Sequence, residues 1–161
     1  RLDCARFLAA REEDGPELRL FAGWIDGYMS GFNHFQDETF DVTPWQAVEL
    51  LVLKLARYCE ANPEERFAAA VNQLLATLVP QRLQVESPLQ RLRVGESAVF
   101  AYDAVVERLR LALSERGYDV GESDEGFDGA TAAALAAFQR DAGLPETGLP
   151  DQITLNALFP R

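Results

Sequence analysis

GFDGATAAAL at residues 126–135 and GLPDQITLNAL at residues 148–158 are two copies of one sequence repeat, and the predicted fold rests on them. Both contain the pattern Asp-x-x-Thr-x-x-x-Leu, from Asp128 to Leu135 and from Asp151 to Leu158. A glycine precedes each aspartate, and glycine readily adopts the positive φ of a tight turn. An aspartate at a helix start accepts hydrogen bonds from the free N–H groups of the first turn. The repeat therefore predicts two turn-into-helix units whose leucines share one core.

The residues around this repeat predict the rest of a small helical unit. Upstream, Val106, Leu109 and Leu113 recur at the spacing of one helix face. Between the two copies, Gly143 is placed to end a helix, and Leu144 follows it to pack back. The side chains expected in the core are Leu109, Leu135, Phe138 and Leu158.

On these residues the C-terminal part of the chain, from Ala104 to Phe159, resembles the bacterial peptidoglycan-binding domain, type 1 family. The matching stretches are Leu109 to Tyr118, Asp124 to Thr131, Ala134 to Gln139, Gly143-Leu144, Thr147-Gly148 and Thr154 to Leu158. Domains of this family are three-helix folds that usually tether a partner domain to the cell wall. The resemblance therefore implies peptidoglycan as a binding partner.

Within this resemblance, the candidates for contact with peptidoglycan are polar or half-exposed residues. They are Tyr118, Asp124, Phe127, Gln139 and Arg140. Arg140 can pair with a stem-peptide carboxylate, or it can be an exposed helix residue without a contact. The sequence departs from the family pattern at Glu125, Asp128 and Thr147. The added carboxylates are expected to weaken the approach of an anionic glycan–peptide polymer.

The first half of the chain predicts four helices from apolar residues at helical spacing. Two of them are expected over residues 3–13 and 17–34. The next two are expected to start at the N-caps Thr43 and Asn62, because a proline follows each cap and Gln or Glu stands three residues after it. The expected buried positions are Phe21, Trp24, Ile25, Tyr28, Phe32, Trp45, Val48, Leu51, Val52, Leu55, Cys59, Phe67, Ala70, Val71, Leu74 and Leu78.

Three glycines, Gly23, Gly27 and Gly31, recur at every fourth residue of the second predicted helix. Glycine costs nearly 1 kcal/mol relative to alanine at each helical position. Their regular spacing therefore predicts a close contact with another helix. Asp26 and the polar flanks exclude the membrane version of this pattern.

The two cysteines of the chain, Cys4 and Cys59, fall on apolar helix faces. They are either two buried free thiols or one disulfide. A disulfide closing a loop of this size would stabilise the fold by about 4 kcal/mol on the chain-entropy estimate. It would also imply an oxidising compartment.

Residues 4–78 are similar to small exported helical proteins of the HdeA type and to the related Rap/Tai-type immunity proteins of type VI secretion. The resemblance rests on Cys4, on Trp24-Ile25-Asp26-Gly27-Tyr28-x-x-Gly31-x-Asn33 and on Tyr58-Cys59-x-x-Asn62-Pro63. In those families the two cysteines form a disulfide that pins the N-terminal helix to a later one. The resemblance therefore implies a Cys4–Cys59 disulfide and a periplasmic location.

The helical pattern stops at Pro80, and residues 80–103 are predicted to be an extended linker that can contain a short hairpin. The predicted fold is all-α, with two domains joined by that linker. The first is a disulfide-stapled four-helix domain over residues 1–79. The second is a three-helix domain over residues 104–161.

Composition excludes several classes of partner. Asp and Glu number 26 against 15 Lys and Arg, which gives a formal net charge of −11. Nucleic acids and anionic membranes need a basic face, and the nearest basic group, Arg82, Arg91 and Arg93, is spread over the predicted linker and interpreted as solvated. The longest aliphatic run, from Leu50 to Leu53, is far shorter than a membrane span.

The sequence contains no recognisable signal peptide. It begins at Arg1 without a methionine, which we interpret as a trimmed or mature form of an exported protein.

Catalysis is not expected from this sequence. His34 is the single histidine, so the His/Asp ligand set of a zinc peptidase cannot be assembled. A cysteine nucleophile needs a histidine partner, and both cysteines are better used in a bridge. The acidic group Glu12, Glu13, Asp14 and Glu17 lies around a helix end, where a solvated surface explains it. We therefore expect no enzyme activity, no metal and no cofactor.

Together these patterns predict a non-catalytic peptidoglycan-binding protein of the cell envelope that tethers or recruits another exported protein. The alternative is a periplasmic acid chaperone or a toxin-neutralising immunity protein, in which the wall module serves localisation. Acid chaperoning would follow from protonation of the many carboxylates, which reverses the net charge and loosens the fold.

Overall fold

The computed structural model describes residues 2–122 and 126–159. The chain forms two units, Arg1–Val85 and Glu86–Arg161. The candidate site residue Asp124 lies outside the described residues.

The first unit contains the four helices that the apolar spacing predicts. They are α1 (Cys4–Glu13), α2 (Pro16–Phe35), α3 (Val48–Ala61) and α4 (Phe67–Leu78), and a short 3-10 turn follows at Val79–Gln81. Their shared core centres on three aromatic rings, those of Phe7, Phe21 and Phe67, whose centroids lie 4.7 to 5.3 Å apart. Such edge-on and tilted ring pairs add to the free energy of apolar burial.

Cys4 and Cys59 form a disulfide, as the resemblance implied, with their Cα atoms 4.9 Å apart. Both residues are fully buried. The bond pins the start of α1 to the last turns of α3, and the alternative of two free thiols is wrong.

The predicted cap at Thr43 is wrong, because α3 begins at Val48. The backbone N–H and the hydroxyl of Thr43 both donate to Asp41 Oδ1, at 2.9 and 3.3 Å. Asn33 accepts from the N–H of Val42 at 2.8 Å. These bonds hold the segment as a local turn against α2, so Thr43 is not available to cap a helix.

The predicted cap at Asn62 is also wrong, because α4 begins at Phe67. The carbonyls of Pro63 and Glu65 accept hydrogen bonds from the N–H groups of Ala5 and Cys4, at 3.0 and 2.9 Å. The first N–H groups of a helix have no partner within that helix. The segment therefore serves the start of α1 instead of extending α4.

The glycine row of α2 does not make the close helix contact that its spacing predicts. A Cβ atom built on Gly23, Gly27 or Gly31 meets no other atom within 4 Å. Trp24, expected in the core, is 41% exposed. The helix is oriented by Phe21, Ile25 and Met29, which are buried, so the neighbouring strip with the glycines faces outward.

The second unit begins with a hairpin and continues with three helices. Its elements are β1 (Leu89–Val94), β2 (Ser97–Tyr102), α5 (Asp103–Glu115), α6 (Gly129–Asp141) and α7 (Gln152–Leu158). The expected all-α fold is therefore corrected, since β1 and β2 pair antiparallel within the segment predicted to be an extended linker. Leu92 and Ala101 are buried with Val106 and Leu149, and this contact with the helical core stabilises so short a sheet.

The apolar centre of the helical part is the one that the repeat predicts. Leu109 from α5, Leu135 from α6 and Leu158 from α7 are all fully buried, and Phe138 is nearly so. Helix α5 contacts both α6 and α7, and the burial of these four residues confirms them as interior positions.

Candidate functional site

The two repeat units of the C-terminal region have the geometry that their sequence predicts. Gly126 and Gly148 adopt φ values of +53° and +64°. Asp128 caps α6 by accepting from the N–H of Thr131 at 2.8 Å. Asp151 caps α7 by accepting from the N–H of Thr154, also at 2.8 Å. Both caps place a threonine side chain in the interior, where its hydroxyl needs a partner.

In the first repeat unit the hydroxyl of Thr131 donates to Asp128 at 2.7 Å and accepts from Arg110, a residue that the sequence patterns did not indicate. Its guanidinium donates to the hydroxyl of Thr131 and, at 3.3 Å, to the carbonyl of Gly126. It also forms an ion pair of 3.5 Å with Asp128, and its side chain is only 14% exposed. Arg110 is adjacent to the buried Leu109, and an arginine next to an apolar stripe is the signal that could have identified it.

In the second repeat unit the partner is Gln139. Its side-chain nitrogen lies 2.9 Å from the hydroxyl of Thr154 and 3.0 Å from the carbonyl of Leu149. Its side-chain oxygen accepts from the N–H of Gly148 at 2.8 Å. Gln139 is fully buried and its amide is bonded within the unit, and whether it also contacts peptidoglycan stays a prediction.

The carboxylate of Asp128 is held in its charged form by this arrangement. The hydrogen bonds from the N–H and the hydroxyl of Thr131, together with the nearby Arg110, keep the pKa of Asp128 below its usual range. A charged carboxylate stays a good hydrogen-bond acceptor, so the turn before α6 keeps its cap at neutral pH.

Tyr118 and Arg140, two predicted contact residues, lie on either side of Asp141. The hydroxyl of Tyr118 donates to Asp141 at 2.9 Å, and this hydrogen bond raises the pKa of the phenol. Arg140 is 4.0 Å from Asp141 and 3.7 Å from Glu146. Tyr118, Arg140 and Asp141 thus form a polar strip in which Tyr118 is half-buried and the guanidinium of Arg140 already has acidic neighbours.

Phe127, another predicted contact residue, is half-buried against the cluster formed by the hairpin and Leu149. Its ring therefore contributes to packing of the turn before α6 as well as to the surface. Whether Tyr118, Phe127 and Arg140 touch a ligand stays a prediction.

The first unit has a separate apolar groove of about 240 Å³. It is lined by Leu2, Arg6, Glu17, Leu20, Phe21, Trp24 and Phe67. Arg6 and Glu17 form an ion pair of 2.6 Å among these lining residues. The ring of Trp24 stacks on Tyr28, with centroids 5.1 Å apart, so one wall of the groove is held in place.

Over residues 2–122 and 126–159, no helix is long and apolar enough to cross a bilayer. The same part of the chain holds no group of three or more His, Cys, Asp or Glu side chains that could bind a metal ion.

Comparison with known proteins gives one family and one kind of relative. Residues 103–158 match the family model described as "Putative peptidoglycan binding domain". The chain is 37% identical over 73 residues to the localization factor PodJL of Caulobacter vibrioides, in strains NA1000 / CB15N and ATCC 19089 / CIP 103742 / CB 15. The match covers 45% of this chain but only 8% of each relative's length. No solved structure matches the chain significantly.

These comparisons give no support to the similarity of the first unit to HdeA-type or Rap/Tai-type proteins, which stays a prediction. They do bear on the second unit, where the matched segment runs from the start of α5 to the end of α7. Residues 103–158, which contain the repeat, are accordingly the part of the chain that is similar to peptidoglycan-binding domains.

Proposed function

We propose that this protein binds peptidoglycan through its second unit, without catalysing a reaction on it, and that its first unit recruits another exported protein to the wall. The observation that carries the first part is the pair of capped turns, Asp128–Thr131 and Asp151–Thr154, built within the segment that matches the family. The disulfide supports a place in the cell envelope, because such bonds persist in oxidising compartments.

The recruiting role rests on the outward strip of α2. Leu20, Trp24 and Phe35 are exposed on this helix, beside glycines that leave its backbone open to close approach. Exposed apolar side chains next to a groove are typical of protein interaction surfaces. The relative PodJL is named a localization factor, which is consistent with a role in positioning a partner.

Sedimentation with purified sacculi tests wall binding. We expect the full chain to pellet with sacculi and to remain in solution without them. A shortened chain of residues 86–161, checked for helical content by circular dichroism, should pellet as well. Muropeptide analysis of the supernatant should show no released fragments. If neither protein pelleted, wall binding would be rejected and the chaperone or immunity alternative would gain support.

Chemical cross-linking in periplasmic extract tests the recruiting role. The full chain is compared with Leu20→Glu and with a matched control, Glu12→Gln, at an exposed position of α1. We expect Leu20→Glu to lose a specific cross-linked protein that the control retains. Equal cross-linking by all three proteins would rule out the α2 strip as the recruiting surface.

A further inference from the structure

The hairpin that precedes the matched segment has two different faces. Its inner face carries Leu92 and Ala101, which are buried against the helical core. Side chains alternate between faces along a strand, and the register pairs Arg91 with Phe100 across the ladder. The opposite face, which we call the cationic hairpin face, consists of Leu89, Arg91, Arg93, Ala98, Phe100 and Tyr102.

The cationic hairpin face is exposed and carries two positive charges. Phe100 is 67% exposed and Leu89 is 59% exposed. Arg91 and Arg93 are exposed too, and neither forms an ion pair with any residue that the structure describes. Within the sequence of the hairpin and its ends, the acidic residues are Glu96 in the turn and Asp103 directly after β2. Arginine beside exposed aromatic and aliphatic side chains is typical of binding surfaces.

The rest of the second unit is acidic, which makes this face distinctive. Residues 103–158 contain four arginines against eleven Asp and Glu. Arg110 is engaged by Asp128, and Arg116 donates to the carbonyls of Ala112 and Leu158. Arg140 has Asp141 and Glu146 beside it, as described above. An anionic polymer is therefore repelled by most of the matched segment.

We propose that the cationic hairpin face is a second contact surface for peptidoglycan, outside the segment that matches the family. Stem peptides carry free carboxylates, and Arg91 and Arg93 bind two of these, since alternate residues of a strand lie about 7 Å apart. Phe100 packs on the apolar face of a sugar ring. This inference rests on the proposed wall binding and explains how a chain of net charge −11 approaches an anionic wall.

The test is quantitative sacculus binding by the full chain and its variants. We expect R91E/R93E to raise the apparent Kd about tenfold, because two charged contacts become repulsive. F100A should raise it several-fold, and R91K/R93K should stay near wild type. The matched control is R19E/R57E, which makes the same change of charge at exposed positions of the first unit and should bind within about twofold of wild type.

The outcomes separate this inference from the function on which it rests. If the wild type binds and R91E/R93E binds equally well, the hairpin surface is rejected while wall binding stands. If R19E/R57E weakens binding as much, only overall charge matters, and the inference again fails. If the wild type does not bind, both fail.

Misfolding and dimer formation are two further causes of weak binding, and each has its own measurement. R91Q/R93Q should weaken binding less than charge reversal, with an unchanged circular dichroism spectrum, which excludes loss of folding as the cause. Light scattering should show that the wild type is not a dimer that the F100A substitution dissociates into monomers. A dimer of that kind would mean that a second copy covers the face, and it would overturn the proposal.

Discussion

At the scale of single residues, the side chain of Gln139 joins three parts of the second unit. It bonds the turn at Gly148, the carbonyl of Leu149 and the hydroxyl of Thr154, all from within α6. An apolar side chain in its place would remove the partner of the Gly148 N–H and of the Thr154 hydroxyl, while the carbonyl of Leu149 would keep its bond from the N–H of Asp151. Buried polar groups that lose a partner cost about 1–3 kcal/mol each.

We therefore predict that Gln139→Leu lowers the stability of the second unit by about 2–4 kcal/mol. The measurement is amide hydrogen exchange followed by mass spectrometry on peptides from residues 129–158. The adjacent Arg140→Ala is the control, because Arg140 is exposed and surface changes stay within about 0.5 kcal/mol. Unchanged protection in Gln139→Leu would show that the buried amide is not needed.

The lowered pKa of Asp128 predicts how the stability of the second unit depends on pH. Its pKa is below the usual range in the folded chain, because Thr131 donates to it and Arg110 is nearby. A carboxyl whose pKa is lowered by folding contributes stability above its unfolded pKa, and that contribution is lost as the pH falls through its folded pKa. We therefore expect Asp128→Asn to be less stable than wild type at about pH 6 and the difference to shrink below about pH 4.

The check is a series of urea unfolding curves of both proteins from about pH 6 to about pH 2.5, read by far-ultraviolet circular dichroism. A stability difference that is constant with pH would contradict the assigned role of Asp128. The same result would indicate that its charge does not strengthen the cap.

Single residues also show why the buried polar partners Arg110 and Gln139 were harder to predict than the apolar core. The leucines of the repeat follow from spacing alone, because the period of about 3.6 residues per turn fixes their face. Arg110 bonds Thr131 from a different helix, and no local pattern predicts a contact across 21 residues of sequence. Gln139 was predicted only as a polar candidate for ligand contact, and its buried hydrogen bonds were missed because its partners come from a later turn.

At the scale of elements, local capping signals succeeded where no other segment competed for them. Asp128 and Asp151 cap the helices that their spacing predicts. Thr43 and Asn62 do not, because Asp41 bonds Thr43 and the start of α1 bonds the loop after Asn62. The hairpin was only weakly indicated, since two strands of six residues are stabilised by packing on a core that their own sequence does not contain.

The glycine row of helix α2 is open to solvent, and this leads to a prediction about thermal stability. A Cβ added at Gly27 meets nothing within 4 Å, and alanine is favoured over glycine in a helix by about 0.8–1 kcal/mol. We therefore expect Gly27→Ala to raise the midpoint of thermal unfolding by a few degrees. Tryptophan fluorescence is the readout, because Trp24 and Trp45, the two tryptophans of the chain, both lie in the first unit.

The contrasting variant is Gly148→Ala. Gly148 has a φ of +64°, and an added Cβ would lie 3.1 Å from the carbonyl oxygen of Ala132. This substitution should destabilise the second unit, which hydrogen exchange reports. A lower midpoint in Gly27→Ala would mean that the α2 strip is packed in solution, contrary to the structure.

At the scale of the whole molecule, composition and repeats predicted a chain of two parts with different tasks. The negative charge and the small size of each part were visible from the start. The place of the hairpin was not, because β1 and β2 fall in the unit Glu86–Arg161 together with the helices that follow them. Which unit a hairpin belongs to depends on packing between segments of the chain, and the periodicity of apolar residues does not encode that packing.

The disulfide allows the two tasks to be separated by experiment. Cys4 and Cys59 lie 55 residues apart and both belong to the first unit. Opening a loop of that length costs about 4 kcal/mol on the chain-entropy estimate. We therefore predict that C4S/C59S, or the wild type in reductant, shows a clearly lower unfolding midpoint by tryptophan fluorescence. Sacculus binding at low temperature should change by less than about twofold, because the proposed wall contacts lie in the second unit.

Two results would contradict this division of tasks between the units. If reduction left the fluorescence midpoint unchanged, the disulfide would not be stabilising α1 on α3. If reduction abolished wall binding while the second unit kept its hydrogen-exchange protection, the first unit would have to contribute to peptidoglycan contact. Loss of order in the first unit alone cannot remove peptidoglycan contacts that belong entirely to the second unit. The assignment of wall binding to the second unit alone would therefore be wrong.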